Sequence, residues 1–162
     1  MNSTDASHTR RDFIKGTGAV AGAVAIGAVI TGDKNVEAAE INAMQPTPEQ
    51  IKGFLETDFG GPLIMVNLLK FKADGGREEY AKYAAGVVAC VEKVGGRIIF
   101  SGDAKFCLIG NADWDAVALV EYPNPQALLT MASSPEYQKI HVHRDAGLEG
   151  QVNYAVKQRA GA

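Results

Sequence analysis

The sequence predicts an α+β domain in which a four-stranded antiparallel sheet carries its helices on one face. Two observations support this fold class: apolar segments of strand length alternate with amphipathic segments of helix length, and the order is strand, helix, strand, strand, helix, strand. This βαββαβ order is that of a split βαβ arrangement. The chain from residue 40 onward has about 120 residues, which is enough for one such domain.

The start of the chain has the pattern of a bacterial export signal. Two adjacent arginines, Arg10 and Arg11, precede fifteen uncharged residues, and a small-residue cleavage site is expected at Ala38 or Ala39. The four glycines and the short length of the uncharged run argue against a stable membrane anchor, which needs about 20 apolar residues. We therefore expect residues 1–39 to be a twin-arginine signal peptide, recognised by the twin-arginine translocase, and the protein to be periplasmic.

Local signals place each element of the remaining chain. Residues 40–62 are expected to form a connector and a short helix, in which Thr47 is the N-cap, Pro48 the first helical residue and Gln50 the capping-box partner. A barrel-forming domain over residues 63–158 follows. Its predicted elements are a strand over 63–71, a helix that begins near Arg77 and is stopped by Gly95, strands over 96–110 and 115–123, helices that begin at Pro125 and Pro135, a strand over 151–158, and then a tail of residues 159–162.

Both faces of the predicted sheet are apolar, because apolar side chains occupy alternate and intervening positions of the strands. The predicted helices suffice to cover one face, so a second copy of the chain is expected to cover the other and to close a two-sheet barrel. We therefore expect a homodimer. One face contains Ile64, Val66, Leu68, Ile98, Phe100, Val117, Leu119, Val152, Tyr154 and Val156, and the other contains Met65, Leu69, Phe71, Ile99, Ala118, Val120 and Tyr122.

Composition and motifs argue against several classes of function. The formal net charge is −3 and no basic stripe is present, so nucleic acid is not expected as a partner. The sequence has no phosphate-binding glycine loop, dinucleotide fingerprint or nucleophile elbow. Cys90 and Cys107 are expected to be buried free thiols, with a disulfide as the alternative. His141 and His143 lie about 200° apart on a helix, so we expect no metal site there.

Polar residues that interrupt the apolar strands form the first candidate site. Asn67 interrupts the first strand, Arg97 and Ser101 share a face of the second, and Glu121 ends the third. Burying an unpartnered polar group costs about 1 to 3 kcal/mol. These residues are therefore expected to line a pocket for a small polar or anionic ligand, or else to form a structural Arg97–Glu121 ion pair; strand register decides whether the pair shares a face.

Trp114 is the only tryptophan of the chain and precedes the third strand. We include it with the candidate ligand-binding residues, and the alternative is a side chain that packs over one edge of the sheet.

The second candidate site lies on the last predicted helix. Tyr137, His141 and Arg144 are spaced i, i+4 and i+7, so they form one stripe. A histidine in this position can act as a general base or bind haem, while Tyr137 and Arg144 bind a substrate. The alternative is that these residues are hydrogen-bonded at the contact between helix and sheet without a catalytic role.

Four motifs give the chain a family resemblance. They are "MVNLLKF" at 65–71, "VGGR" at 94–97, "WDAVALVEYP" at 114–123 and "SPEYQKIHVHRDAGLE" at 134–149. With them the chain resembles the small bacterial proteins grouped as domain of unknown function family 1330, in the dimeric α+β barrel superfamily. The resemblance implies a ferredoxin-like fold and a barrel dimer but no agreed activity, since superfamily relatives include cofactor-free monooxygenases, isomerases and haem-binding enzymes.

Three functions stay open at the level of the sequence. The first is an exported small-molecule-binding protein that acts as a cofactor-free enzyme, isomerase-like or monooxygenase-like, with its pocket in the barrel. The second is a dimer that binds a ligand or haem without catalysis. The third is an accessory subunit exported together with a partner. No cofactor is predicted, and haem is the alternative.

Overall fold

A computed structural model describes residues 43–159 of the chain. The predicted signal peptide, 1–39, lies outside the described residues, as do residues 40–42 of the connector and 160–162 of the tail. Within the described part, no helix is long and apolar enough to cross a membrane. The elements are α1 (Pro48–Glu56), β1 (Leu63–Phe71), α2 (Gly76–Lys93), β2 (Arg97–Asp103), β3 (Ala116–Tyr122), α3 (Pro125–Ala132), α4 (Pro135–Gly147) and β4 (Leu148–Lys157).

The four strands form one antiparallel sheet in the order β2-β3-β1-β4. The helix α2 connects β1 to β2, and α3 and α4 connect β3 to β4. The predicted α+β class and the ferredoxin-like βαββαβ arrangement are therefore confirmed, with α1 as an additional helix before the first strand.

The helices begin where the capping residues predict. Thr47 Oγ1 accepts a hydrogen bond from the backbone N–H of Gln50, and the side chain of Gln50 accepts one from the N–H of Thr47, which completes the capping box of α1. The side chains of Asn124 and Ser134 accept hydrogen bonds from the backbone N–H of Ala127 and Tyr137 and so cap α3 and α4. Each of the two capping residues is followed by a proline.

The core lies between the sheet and the helices. Leu63 and Val91 are fully buried there, and Tyr83 and Tyr122 belong to the same apolar cluster. The opposite face of the sheet has no helix over it within residues 43–159. Its side chains are half-buried or exposed in the single chain, with Tyr154 60% exposed. One apolar face is thus covered and the other is open, as the strand pattern predicts.

An irregularity in β2 changes which side chains share a face. Ile98 pairs with Val120, but Phe100 pairs with Leu119, so Ile99 is an extra residue between them. Such a bulge reverses the alternation of the strand. The prediction that Ile98 shares a face with Phe100 is therefore wrong, because Ile98 lies on the helix-covered side with Val120.

The second strand is shorter than predicted. Its ladder ends where Asp103 pairs with Ala116, the first residue of β3, so residues 104–110 have no strand partner. The prediction of a strand over 96–110 is wrong beyond Asp103, and residues 104–115 form a connecting loop. The last strand begins at Leu148 rather than at residue 151.

The two cysteines have different environments. Cys90 is a buried free thiol in α2, as predicted. Cys107 is also free, but it lies exposed in the loop over residues 104–115, so the prediction that it is buried is wrong. That prediction depended on Cys107 lying in a strand, and the strand ends before it.

Candidate functional site

A cavity of about 1130 Å³ lies between the helices and the face of the sheet that they cover. All eight elements contribute side chains to its wall. Five of the residues predicted from the sequence line it, whereas the expected pocket in the barrel would lie on the opposite face of the sheet. These five are Asn67, Ser101, Tyr137, His141 and Arg144.

The stripe predicted on the last helix faces this cavity. The ring of His141 stacks on that of Tyr137, with 5.3 Å between the ring centroids. His141 Nδ1 is buried and has no hydrogen-bond partner among the described residues, and His141 Nε2 lies 3.4 Å from Asp145 Oδ1 without hydrogen-bond alignment. His143 points elsewhere and contacts Glu79. His141 therefore has a buried imidazole nitrogen to which the described chain offers no hydrogen-bond partner.

Arg144 is buried at the same wall, with 7% of its surface exposed. Its Nη2 donates to Gln151 Oε1, and its guanidinium lies 5.8 Å from the centroid of the Tyr83 ring. Within residues 43–159, no carboxylate oxygen of an aspartate or glutamate lies within 4.0 Å of its guanidinium nitrogens. The buried guanidinium therefore has a neutral amide and an aromatic ring as neighbours and no counter-ion from the described chain.

Tyrosines form the aromatic part of the cavity wall. The hydroxyls of Tyr83 and Tyr137 lie 3.5 Å apart, and the rings of Tyr80 and Tyr83 have centroids 5.2 Å apart. Burial raises the pKa of Tyr83 well above its ordinary value of 10. The hydroxyl of Tyr83 is therefore neutral at physiological pH and available as a hydrogen-bond donor or acceptor.

Asn67 and Ser101 belong to the sheet side of the cavity. Asn67 Nδ2 donates to the backbone oxygens of Met65 and Ala118 at 3.1 and 3.2 Å. Ser101 is the register partner of Ala118. The amide nitrogen of Asn67 is thus occupied by the sheet itself, and its role in the isolated chain is to join β1 to β3.

The other predicted polar residues lie away from the cavity. Arg97 Nε donates to Glu121 Oε1 at 2.8 Å, and a second bond joins Arg97 Nη2 to Glu121 Oε2 at 3.2 Å. The guanidinium of Arg97 lowers the pKa of Glu121 through these hydrogen bonds. The bulge places this pair on the open face, opposite to Ser101, so the expectation that Arg97 and Ser101 share a face is wrong.

Trp114 is half-buried and does not line the cavity.

Residues 43–46, called here the N-terminal strap, also line the cavity. The backbone N–H of Ala43 donates to Gln151 O at 3.2 Å, and Gln151 Nε2 donates to Met44 O at 2.9 Å. Gln45 Nε2 lies 3.4 Å from His141 Nε2. The strap therefore contacts both the partner of Arg144 and the candidate histidine.

Sequence reasoning did not identify Gln151 or the strap as parts of the site. The sequence pattern could have predicted Gln151 as a site residue, because it is a polar residue at an inward position of an apolar strand. The strap carries no such signal, since its contacts with β4 join residues more than a hundred positions apart. Among the described residues, no group of three His, Cys, Asp or Glu side chains is placed to hold a metal ion.

Comparison with known proteins gives two family matches. Residues 72–156 match the family described as domain of unknown function (DUF1330), and residues 7–27 match the twin-arginine translocation pathway signal sequence. None of the curated proteins matches this chain.

Among solved structures, the chain is similar to RPA0582, a protein of unknown function from Rhodopseudomonas palustris. The two are 29% identical, the match covers 73% of this chain and 98% of that one, and the TM-score is 0.66. A methylated form of RPA0582 gives 30% identity, coverages of 75% and 98%, and a TM-score of 0.67.

A dimeric ferredoxin-like protein of unknown function from Jannaschia sp. CCS1 shares the fold. It is 15% identical, with coverages of 60% and 100% and a TM-score of 0.50. The twin-arginine signal indicates export to the periplasm. Because the DUF1330 match spans more than half of the 162 residues and includes the helix α4 that lines the cavity, this chain belongs to the DUF1330 family.

Proposed function

We propose that this protein binds a small molecule in the periplasm, in the cavity between its helices and its sheet. The observation that carries the proposal is the convergence of Tyr137, His141 and Arg144 on one largely apolar space. Small-molecule sites are typically concave and mostly apolar, with a few polar groups that orient the ligand. The cavity has this character, since Tyr137, His141 and Arg144 face a wall with much apolar surface, such as Phe54, Met65 and Val120.

We further infer that the protein acts as a homodimer. The support is the open face of the sheet, where apolar residues such as Val66 and Leu119 are register partners and no helix of the described chain covers them. Contiguous exposed apolar surface of this kind is typical of an interface between subunits.

A second candidate function is proton transfer on the bound molecule. The observation that favours it is His141, which lines the cavity, stacks on Tyr137 and has a buried Nδ1 without a hydrogen-bond partner among the described residues. Imidazole is the side chain that most often takes up and returns a proton in general acid–base catalysis. In this reading the site belongs to a cofactor-free isomerase or a related enzyme.

Binding is tested by native mass spectrometry of the mature protein isolated from its own periplasm, where a bound small molecule appears as added mass. Ala118 lies in the floor of the cavity, so Ala118→Phe is expected to fill part of it and to release that mass. The matched control Ala85→Phe, on an exposed position of α2 outside the cavity, is expected to retain it. A protein that carries no small molecule and takes none up from a periplasmic extract contradicts the proposal.

Proton transfer is tested with the molecule that this experiment identifies. In heavy water the wild-type protein is expected to exchange a carbon-bound hydrogen of that molecule for deuterium, as followed by NMR. His141→Gln is expected to bind the molecule and to lose the exchange. Equal exchange rates in the two proteins would remove His141 from the reaction.

A further inference from the structure

We infer that the ligand is an organic monocarboxylate with an apolar or aromatic body, and that its carboxylate replaces Gln151 as the partner of Arg144. This inference rests on the proposed function, because it specifies what the same cavity binds.

Arg144 carries a positive charge inside the protein. A buried guanidinium normally has an anionic partner, because removing an unpaired charge from water is strongly unfavourable. Arg144 has instead the neutral Oε1 of Gln151 and the face of Tyr83. It lies in the last turn of α4, where the helix dipole supplies a partial negative charge of roughly half a unit. This partial charge is smaller than the full positive charge of the guanidinium, so the described chain does not neutralise Arg144.

The other charged side chains of the cavity wall do not neutralise Arg144. Besides His141 and Arg144, the wall contains Arg77 and Asp103. Asp103 is held by Arg77 Nη1 at 2.6 Å and by Lys105 Nζ at 3.4 Å, so its carboxylate is already paired. Asp145 follows Arg144 in α4, but its Oδ1 lies 3.4 Å from His141 Nε2 and it forms no ion pair with Arg144. Arg144 therefore has no carboxylate partner in the described chain, and a ligand can supply the missing negative charge.

The geometry of the guanidinium of Arg144 favours a carboxylate over an amide as its partner. A guanidinium presents two parallel N–H groups that match the two oxygens of a carboxylate, whereas the side-chain amide of Gln151 offers one oxygen. Gln151 is held from its other side by Met44 O, so it can leave Arg144 without losing every hydrogen bond. A carboxylate is therefore a better partner for Arg144 than the amide that occupies it in the free protein.

The size and the apolar wall of the cavity indicate that the ligand has an apolar body besides its carboxylate. The cavity volume of about 1130 Å³ lies slightly above the range of sites for drug-sized molecules, roughly 300 to 1,000 Å³, so a bare inorganic anion would leave most of it unfilled. Much of the wall is apolar or aromatic, and it excludes a second charge at the far end of the molecule. The apolar part of the wall includes Phe54, Met65, Leu69, Val87, Val120 and Leu128.

The test measures binding to the mature protein by isothermal titration calorimetry with matched probes. The acids are phenylacetate and octanoate, their neutral counterparts are phenylacetamide and octanamide, and inorganic phosphate is the anion without a body. We expect each acid to bind at least tenfold more tightly than its amide, and phosphate to bind at least tenfold more weakly than the acids.

Two variants test the contact itself. Gln151→Glu places a carboxylate of the protein on Arg144 and is expected to weaken binding of the acids at least tenfold. Gln126→Glu makes the same chemical change at an exposed position of α3 outside the cavity and is expected to change binding less than twofold. Arg144→Met approaches the contact from the other side, and it is expected to abolish the preference for an acid over its amide.

The outcomes separate this inference from the proposal on which it rests. Amides that bind as tightly as the acids, or acid binding that both Gln151→Glu and Arg144→Met leave unchanged, would overturn the carboxylate while leaving small-molecule binding in place. If none of the probes binds the wild-type protein, this inference is wrong, and the mass-spectrometric experiment then decides separately whether the cavity binds a molecule of another class.

Discussion

Leu63 shows how a single residue joins the sheet to the core. It begins β1, pairs with Tyr122 and Lys157 on its two neighbouring strands, and is fully buried beneath the helices. Its place in an apolar run after Gly60, Gly61 and Pro62 predicts a strand, but a run that is apolar on both faces does not identify which residues become fully buried. That depends on where the helices lie.

Truncation of Leu63 is expected to destabilise the protein strongly. Leu63→Ala leaves a cavity in a closely packed region, so the free energy of unfolding should fall by about 2 to 5 kcal/mol. Leu108→Ala, in a side chain that is 83% exposed, should change it by no more than about 0.5 kcal/mol. Urea unfolding of the mature protein measures both values, and equal losses in the two variants would contradict the described burial.

The candidate site illustrates which residues a sequence can place together. Tyr137, His141 and Arg144 lie on one helix, so their spacing alone predicts that they share a face, and the structure agrees. Gln151 meets Arg144 across the end of α4, and Met44 meets Gln151 from the far end of the chain. Contacts of the second kind depend on tertiary packing and have no local pattern.

At the scale of elements, the ends of α2 and α4 meet backbone to backbone. A Cβ atom on Gly147 would lie 2.7 Å from both Gly76 O and Tyr80 N, and a Cβ on Gly76 would lie 2.6 Å from Gly147 O. The backbone N–H of Lys72 also donates to Gly147 O at 3.0 Å. These two glycines allow the close approach of α2 to the helix that carries the candidate site.

Adding one methyl group at this crossing is expected to push the helices apart. Gly147→Ala should lower the free energy of unfolding by about 1 to 3 kcal/mol, as overpacking does elsewhere in proteins. Gly53→Ala is the matched control, because no atom lies within 4 Å of its Cβ position in α1 and alanine favours a helix by up to about 1 kcal/mol. Denaturant titrations that rank the two variants in the opposite order would contradict this account.

The helices were predictable at this scale and the second strand was not. The starts of α1, α3 and α4 each have a capping side chain followed by a proline, and α2 starts after Gly75 without a side-chain cap. The end of β2 is set by the position of its partner β3, and the bulge at Ile99 by the register between them. Alternating apolar residues continue past Asp103, so the pattern alone extends the strand into a loop.

At the scale of the whole molecule, the sheet has one face that the helices cover and one that they do not. The two apolar faces were predictable from strand alternation. The cavity was not, because its volume depends on how far the helices stand from the sheet, which many side chains decide together. The residues predicted on α4 line this cavity, whereas the pocket in the expected barrel stays a prediction.

The proposed homodimer gives a prediction for the open face. Wild-type protein without its leader is expected to sediment as a dimer, and Leu119→Glu, which places a charge at the middle of that face, as a monomer. Val88→Glu adds the same charge on the exposed side of α2 and should leave the dimer intact. Sedimentation equilibrium distinguishes these cases, and a monomeric wild-type protein would refute the proposed assembly.

The N-terminal strap has a practical consequence for anyone who prepares this protein. An affinity tag fused ahead of Ala43 would be attached directly to the N-terminal strap, whose hydrogen bonds hold Gln151 beside Arg144. The other end of the chain leaves the sheet at Lys157, six residues and about 20 Å along β4 from Gln151. A purification tag at the C-terminus is therefore expected to leave the contacts of the strap with Gln151 unchanged.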